Sequence, residues 1–299
     1  MREYSYQQHH MGTEVSLSFV CNEVALADTI ATQTFATIHD YEQRFSRFLP
    51  QSELATLNRC GSGTVSREYL AILERSLQLV ELTGGAFNPL IQVATLGYHT
   101  TYATLREQCA SITPVQYDTD CRKILVDEAH QHVTLGTNQQ LDFGGILKGY
   151  LANMLADQLT DTYQECMGSI INIGGDLATR GTDELHEPFM CMLYNPITGR
   201  EVPVRVTDGS LATSGTYARR WQTNQGGRHH VIDGATQKNP TNSLVAASII
   251  HYDGALAEAL TKLFLTRGVM KAIHTVPPEQ YSYQYFVVSE TGETMSNIT

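Results

Sequence analysis

The hydrophobic and polar positions of the first 140 residues predict strands at either end, with helices between them. Residues 12–20 alternate like a half-buried strand, and residues 23–44 follow the spacing of a long helix. A turn and a short helix are predicted over 46–59. The next helix begins after Ser66, a favourable N-cap, and ends at Gly84-Gly85. One face of that helix carries Leu70, Leu73, Leu77 and Val80.

Beyond this helix the pattern shifts towards short strands. Residues 86–120 have no regular spacing, and 123–126 with 132–135 are typical of a hairpin. A helix then carries an apolar stripe of Leu147, Leu151, Met154, Leu155 and Leu159. Strands are predicted at 170–173, 189–193, 202–206, 211–214, 229–232, 244–251 and 285–289, with a helix at 255–266. Because strands neither alternate strictly with helices nor stand alone, we predict an α+β or mixed α/β fold.

Composition and charge narrow the class of protein. The chain has 299 residues, of which 42% are hydrophobic and 17% charged, as in an ordinary soluble globular protein. Its formal net charge of −11, with no basic run, argues against general nucleic-acid binding. An anionic ligand would therefore need local help from helix ends, lysines or a divalent metal.

The cysteines and the N-terminus bear on the cellular compartment. Six cysteines, at positions 21, 60, 109, 121, 166 and 191, show no metal-ligand spacing, and we expect buried thiols rather than a disulfide framework. We find no apolar signal region, no lipoprotein-type cysteine and no segment long enough to span a membrane. We therefore expect a cytoplasmic protein, or an exported one from which the export segment has been removed.

Residues 141–150, LDFGGILKGY, place an acid, two glycines and a lysine where a strand is predicted to turn into a helix. The two glycines let the backbone approach a ligand closely, and the helix N-terminus offers free N–H groups. Lys148 adds a cation one turn further on. The spacing matches neither the phosphate loop of NTPases nor the dinucleotide motif. It therefore indicates a phosphate-ester site of another kind.

Two further turns could approach a ligand closely. Residues 171–176, INIGGD, end a strand with two glycines and an acid, although a tight turn by itself explains this pattern better. Residues 211–219, LATSGTYAR, follow a strand with small hydroxyl side chains and then Arg219. A plain β-turn is equally consistent with that segment.

The remaining candidate chemistry lies near the C-terminal end. His230, close to the Asp233 carboxylate, which we expect to be exposed, could be a general base because the pKa of histidine lies near neutrality, although a lone histidine on a strand is more often structural. Glu258, Thr261 and Lys262 share one side of the 255–266 helix. The first two could supply oxygen ligands to Mg²⁺, or Glu258 and Lys262 could form an exposed i,i+4 ion pair.

Taken in order, these segments resemble the ApbE-type FAD:protein FMN transferases over nearly the whole chain. The matching segments are Met11-Gly-Thr13, residues 45–58, Gly85-Ala-Phe-Asn-Pro89, residues 141–150, Asn172-Ile-Gly-Gly-Asp176, Ala212-Thr-Ser-Gly215 with Arg219, His230-Val-Ile-Asp233 and residues 257–262. The resemblance implies one T-fold-like domain over residues 1–299. We expect two closely packed subdomains with the ligand cleft between them.

The resemblance also implies a reaction and a set of residues. Members bind FAD and Mg²⁺, split the pyrophosphate, and attach FMN to a Ser or Thr in a motif of an acceptor flavoprotein, while AMP leaves. By position, the FAD-binding residues would be Met11, Phe48, Ala86, Phe87, Asn88, Asp142, Lys148 and Val231. The Gly145 carbonyl, Glu258 and Thr261 would hold the metal. His230 and Asp233 would be catalytic, with His230 taking the proton of the incoming hydroxyl.

The chain departs from the family pattern at several of these positions. Glu258 stands where aspartate is usual, and Lys262 stands where many members have threonine, so that its ammonium could partly replace a metal charge. Asn88 replaces a frequent aspartate, and the loop over 233–240 is one residue longer. These differences bear on metal affinity and transfer rate more than on FAD binding.

Two alternative functions follow from the same residues. Glu258 and Lys262 favour a protein that holds FAD without efficient transfer, whereas the retained His230 and Asp142 favour catalysis. The other alternative is a Mg²⁺-dependent pyrophosphatase that releases FMN and AMP to water.

Overall fold

The computed structural model describes residues 1–98 and 117–298, and its largest sheet is antiparallel throughout. In chain order its strands are β1 (Arg2–His10), β2 (Thr13–Cys21), β6 (Cys166–Ile173), β7 (Asp176–Gly181), β10 (Ser210–Gly215), β13 (Leu244–His251), β14 (Gln284–Ser289) and β15 (Thr294–Ser296). The strands lie side by side in that same order.

Three smaller sheets surround it. Their strands are β3 (Ser62–Thr64), β4 (Leu125–Asp127) and β5 (His132–Thr134), then β8 (Phe189–Tyr194) with β9 (Glu201–Val206), and β11 (Arg220–Thr223) with β12 (Gly226–His229). The β4–β5 pair confirms the hairpin predicted near residues 123–135. The part of the 86–120 segment that covers 99–116 lies outside the described residues.

Seven α-helices are described. Those predicted over 23–44, after Ser66 and over 255–266 begin and end within two residues of their predicted positions, whereas the last two were not predicted. The seven are α1 (Val24–Phe45), α2 (Glu53–Cys60), α3 (Arg67–Leu82), α4 (Leu147–Thr162), α5 (Gly254–Arg267), α6 (Val269–Thr275) and α7 (Pro278–Tyr281). Ser66 is the N-cap of α3 as predicted, because its Oγ accepts a hydrogen bond from the Tyr69 N–H at 3.2 Å. The mixed α+β prediction is confirmed.

The large sheet is covered on both faces. On one side α1, α4 and α5 pack against alternate strand residues such as Leu17, Ala247 and Val287, and α3 packs on α5. On the other, the β8–β9 pair turns its inward residues onto Leu211 and Phe286. Residues next to each other on a strand point to opposite faces, which is why both layers draw on the same strands.

Helix α5 is the most deeply placed helix at the candidate site. It packs against β10, β13 and α4, and even Glu258 and Thr261 have 0% of their surface exposed. At its start Gly254 meets Gly149 of α4, and a Cβ on either glycine would collide with the carbonyl oxygen of the other. The two helices can approach this closely only because both positions are glycine.

Three sequence-based expectations are wrong. Residues 229–232 are not a strand: β12 ends at His229, and the chain then bends because the Asn239 amide donates to the carbonyls of His229 and Val231 at 2.6 and 2.7 Å. Cys21 and Cys166, partners across β2 and β6, form a disulfide rather than two thiols.

The third concerns burial of the remaining cysteines. Cys60 is exposed, Cys121 is half-buried and only Cys191 is fully buried, while Cys109 lies outside the described residues.

Within residues 1–98 and 117–298, no helix is long and apolar enough to cross a bilayer.

Candidate active site

The 141–150 segment is held in place by α2 and by the loop that follows α3. The Asn58 side chain both donates to the Leu141 carbonyl and accepts from its N–H, at 2.8 and 2.7 Å. The Asp142 N–H donates to the Pro89 carbonyl at 2.7 Å. Residues 135–146 form turns and irregular backbone, so the predicted strand does not lead directly into α4. The turn is therefore positioned by side-chain contacts and not by a sheet.

Asp142 belongs to an ion pair that sequence reasoning missed. Its Oδ2 accepts from Arg47 at 3.1 Å, and its Oδ1 accepts from the Gly144 N–H at 2.8 Å. The Arg47 guanidinium also lies over the rings of Phe48 and Tyr98, 4.5 and 4.7 Å from their centroids. The Asp142 carboxylate is thereby connected to an aromatic surface.

That aromatic surface consists of three rings from separate segments. Phe48 lies 6.2 Å from Tyr98, and Tyr98 lies 5.3 Å from Trp221, measured between ring centroids. The Trp221 indole N–H donates to the Leu96 carbonyl at 2.7 Å. Phe48 is 41% exposed, which leaves a large ring available at the edge of the group. Only Phe48 was identified from sequence, because Tyr98 and Trp221 lie in no matched motif.

Lys148, Lys262, Asp176 and Glu258 form a single buried charge network. Lys148 pairs with the Asp176 carboxylate, and its Nζ lies 3.5 Å from Oε1 of Glu258. Lys262 Nζ lies 3.2 Å from that same Oε1. The other Glu258 oxygen accepts from the Gly149 N–H at 2.9 Å. The structure thus brings together three segments that the sequence placed far apart.

The same network determines the ionisation of its members. Burial alone would raise the pKa of the Glu258 carboxyl, but the positive charges of Lys148 and Lys262 outweigh it and lower that pKa. Burial lowers the pKa of both ammonium groups, although the Glu258 carboxylate opposes the change. The positive charge of Arg219 lowers both pKa values further, which places a third cation near the network.

Gly145 lies between a ring and a lysine. A Cβ at this position would be 3.3 Å from the Phe87 ring and 3.6 Å from Cε of Lys262. Thr261, the other predicted ligand, donates through Oγ1 to Ser214 or to the Glu258 carbonyl, both at 2.7 Å. Gly145, Glu258 and Lys262 therefore meet, whereas the Thr261 hydroxyl is turned into the β10 contact.

His230 is half-buried, and its Nδ1 is buried without a hydrogen-bond partner among the described residues. Burial, followed by the positive charges of Arg219 and Lys262, lowers the pKa of His230 to about 3. The ring is therefore neutral near pH 7, and Lys262 is a nearby cation for both His230 and Glu258. A buried unpaired nitrogen is costly, so a ligand oxygen beside it would remove that cost.

Asp233 does not act on Nδ1 of His230. Asp233 is buried, with 5% of its surface exposed, and its Oδ2 lies 3.0 Å from Nη1 of Arg267. Its Oδ1 accepts from the N–H groups of Ala235 and Thr236 at 2.9 and 3.0 Å. The expectation of an exposed carboxylate is wrong, because the longer 233–240 loop folds back over it.

The remaining predicted FAD residues contribute backbone and packing. The Asn88 amide is used locally, donating to the Thr119 carbonyl at 3.0 Å and accepting from the Leu90 N–H at 2.8 Å. Ala86 and Val231 are buried in the main core. Gly234 packs directly on the Gly85 carbonyl, where no side chain would fit. The 85–89 and 230–240 segments are therefore in contact.

Met11 lies in the turn between β1 and β2 and packs on the main core. The side chain of Thr13, the first residue of β2, lies against Gly174 and leaves no room there for a side chain. Gly174 and Gly175 both have positive φ, 65° and 96°, so the 172–176 motif is a tight turn as well as a neighbour of the site. It ends in Asp176, which holds Lys148.

The donor set implied for magnesium does not fit the ion as it is arranged here. Mg²⁺ requires oxygen ligands at about 2.0–2.1 Å in octahedral geometry. Both Glu258 oxygens already accept from N–H donors, and the Lys262 side chain lies between Glu258 and Gly145. A divalent ion would have to displace an ammonium from its own carboxylate.

The whole chain has the fold of known ApbE proteins. The ApbE protein of Thermotoga maritima superposes with a TM-score of 0.86 at 22% identity, covering 98% of this chain and 96% of that one. The flavinyl transferase ApbE of Pseudomonas stutzeri gives 0.80 at 16% identity, covering 100% and 95%. At these identities the likeness shows the fold.

Sequence comparison leads to the same family. An FAD:protein FMN transferase of Klebsiella pneumoniae is 27% identical over 286 residues, which cover 90% of this chain and 84% of the relative. The enzyme of the same name from Vibrio cholerae is 21% identical, over 94% and 86% of the two chains. The model of the ApbE family matches residues 11–286. The chain therefore belongs to the ApbE family.

Proposed function

We propose that this protein transfers FMN from FAD to a Ser or Thr hydroxyl of an acceptor flavoprotein, forming a phosphoester and releasing AMP. The observation that carries the proposal is that Lys262 and Arg219 lie near His230, whose buried Nδ1 has no hydrogen-bond partner among the described residues, while Lys262 and Lys148 share the Glu258 carboxylate. The relatives named FAD:protein FMN transferases support the same reaction.

The cations suit the central part of FAD. A pyrophosphate carries two negative charges, and a protein of net charge −11 repels it unless positive groups are concentrated locally. Lys148 and Lys262 are held by buried carboxylates and cannot turn away to solvent. Preorganised cations of this kind stabilise charge as the P–O bond breaks, without reorganising during the reaction.

The aromatic surface suits one of the two ring systems of FAD. Phe48, Tyr98 and the Arg47 guanidinium present flat faces, and planar ligands stack on such faces at about 0.5–1.5 kcal/mol per contact beyond area burial. The aromatic surface lies near the cations because Arg47 pairs with Asp142. Asp142 in turn belongs to the same short segment as Gly145 and Lys148. A single extended ligand could therefore occupy both regions.

In the proposed reaction His230 takes the acceptor's proton. In the transfer, the hydroxyl oxygen of the acceptor forms a bond to the FMN phosphorus, the bond from that phosphorus to the bridging oxygen breaks, and AMP leaves with its electron pair. The hydroxyl proton passes to the neutral imidazole. The low pKa of free His230 rises when a pyrophosphate offsets the charges of Arg219 and Lys262, which makes the ring a better base. The steps described here involve no metal ion.

Mass spectrometry with FAD and an acceptor domain tests the proposal. The acceptor is the domain that one of the related transferases modifies, and the expected products are an FMN adduct and an equal amount of AMP. We expect His230→Gln to lower the rate by about 10²–10⁴-fold while FAD binding persists. His229→Gln is the matched control, since its ring contacts Asn239 and is not the unsatisfied one.

The same reaction mixture separates the alternatives. Free FMN and AMP without an adduct would instead indicate a pyrophosphatase. FAD that stays bound and intact would indicate a flavin carrier, and it would contradict both the transferase and the pyrophosphatase function.

A further inference from the structure

Lys262 occupies the position where a metal would be expected between Glu258 and the Gly145 turn. It follows Glu258 by one helical turn on α5, so both side chains leave the helix on the same side. Its Nζ lies 3.2 Å from Oε1 of Glu258, and its Cε lies 3.6 Å from the place of a Cβ on Gly145. The Lys262 side chain therefore lies beside two of the three groups assigned to magnesium.

The charges around Glu258 are already compensated by the protein. Lys148 lies 3.5 Å from Oε1 of Glu258 and also pairs with Asp176, so two ammonium groups share two buried carboxylates. Arg219 adds a third cation to the site. A divalent ion at this place would face an excess of positive charge, whereas a pyrophosphate would neutralise it.

We propose that Lys262 supplies the positive charge that stabilises the FAD pyrophosphate, so that this protein transfers FMN without a divalent ion at Glu258. The inference rests on the proposed function. An ammonium is a compact charge with three N–H donors on a flexible stem, well suited to phosphate oxygens. Glu258 then acts as a positioning residue, since its buried carboxylate aims Lys262 and Lys148 at the ligand. AMP leaves as its phosphate oxygens are neutralised by these ammonium groups.

The first experiment needs no variant. Transfer and FAD affinity of the wild-type protein are measured in EDTA and in millimolar MgCl₂, with affinity followed by flavin fluorescence. We expect both to be nearly the same under the two conditions. A wild-type protein that loses transfer in EDTA and regains it with MgCl₂ would overturn the inference.

Lys262→Thr is the decisive variant, because it restores the residue that many family members have. In EDTA we expect its transfer rate to fall by about 10²-fold, comparable to loss of one preorganised charge stabiliser. Its FAD affinity should fall by about tenfold, the equivalent of one charge-assisted hydrogen bond. Millimolar MgCl₂ should restore part of both losses. Lys271→Thr, an exposed lysine on α6, is the matched control and should change neither.

The affinity readings keep the two proposals apart. If no adduct forms under any condition, the proposed function fails. FAD affinity that is insensitive to EDTA in wild type and Mg²⁺-dependent in Lys262→Thr would still support Lys262 as the cation. If Lys262→Thr is folded, as judged by circular dichroism, and binds FAD as tightly as wild type in EDTA, the assignment of Lys262 is wrong.

Discussion

Two adjacent histidines, His229 and His230, have pKa values well below the usual range. Burial and the charge of Arg220 lower the pKa of His229 to about 4, and burial with Arg219 and Lys262 lowers that of His230 to about 3. In the unfolded chain both would titrate near pH 6.5. The folded protein therefore holds two neutral rings under conditions where the unfolded chain holds two charged ones.

This difference predicts a loss of stability in mild acid. Above pH 6.5 neither state binds these protons, and as the pH falls towards 4 only the unfolded state takes them up. The free energy of unfolding should then drop by up to about 1.4 kcal/mol per pH unit for each histidine. Urea unfolding at pH 7, 6 and 5 measures the slope. His230→Gln should make the free energy of unfolding depend less steeply on pH. His130→Gln, at a side chain that is 80% exposed, should leave this slope unchanged.

The contacts of Asp233 predict a structural role that can be separated from catalysis. Asp233→Asn keeps an oxygen for the Ala235 and Thr236 N–H groups but leaves Arg267 without its partner. We expect unfolding to become easier by about 1–3 kcal/mol, with the transfer rate at saturating FAD nearly unchanged below the melting temperature.

An exposed ion pair provides the control for Asp233. Asp157 pairs with Arg180 but is 54% exposed, so Asp157→Asn should have little effect on stability. A variant of Asp233 that melts like wild type, yet transfers as slowly as His230→Gln, would show that Asp233 is catalytic after all.

At the scale of elements, the contact between α4 and α5 determines the geometry of the charge network. Gly149 and Gly254 bring the two backbones together, and the Gly149 N–H reaches Glu258 directly. Lys148 is the residue before Gly149, so any separation of the helices also moves its ammonium away from Glu258. The position of the network thus depends on two residues that have no side chain.

Gly149→Ala tests this dependence. Its methyl group would meet the Gly254 carbonyl, and forcing the helices apart should cost about 1–3 kcal/mol of stability. FAD affinity should fall too, because Lys148 and Glu258 separate. Thermal melting and flavin fluorescence measure the two effects. Gly63→Ala is the control, since its nearest neighbour is 3.9 Å away, and equal melting of the two variants would contradict the argument.

The elements themselves were largely predictable from local pattern. The helix after Ser66, the strand over 244–251 and the helix near 255–266 all lie where the sequence indicated them. The prediction of a strand over 229–232 was wrong because the apolar residues Val231 and Ile232 are buried by packing in a loop and not by pairing in a sheet. A short apolar run cannot by itself distinguish these two kinds of burial.

At the scale of the whole molecule, the candidate site joins segments from distant parts of the chain. Arg47, Lys148, His230 and Lys262 come from four separate elements or loops. A ligand that contacts all of them binds only the folded state. At a free concentration of 100 times its dissociation constant, FAD should stabilise the protein by about 2.7 kcal/mol.

Thermal melting with two ligands measures this effect and its origin. Riboflavin, which lacks the pyrophosphate, should stabilise the protein much less than FAD at the same concentration, because it leaves the cations unpaired. Equal stabilisation by riboflavin and FAD would show that Lys148 and Lys262 do not bind the pyrophosphate.

The sequence by itself determined the order of elements, the family resemblance and most of the residue types of the site. Those properties are local, because hydrophobic spacing, caps and short motifs involve residues close together in the chain. Only the tertiary structure decided that Asp233 turns to Arg267, that Tyr98 and Trp221 join Phe48, and that Lys262 lies between Glu258 and Gly145. These contacts depend on how closely the packed elements approach one another, and that distance is set by residues far apart in the sequence, such as Gly149 packed against Gly254.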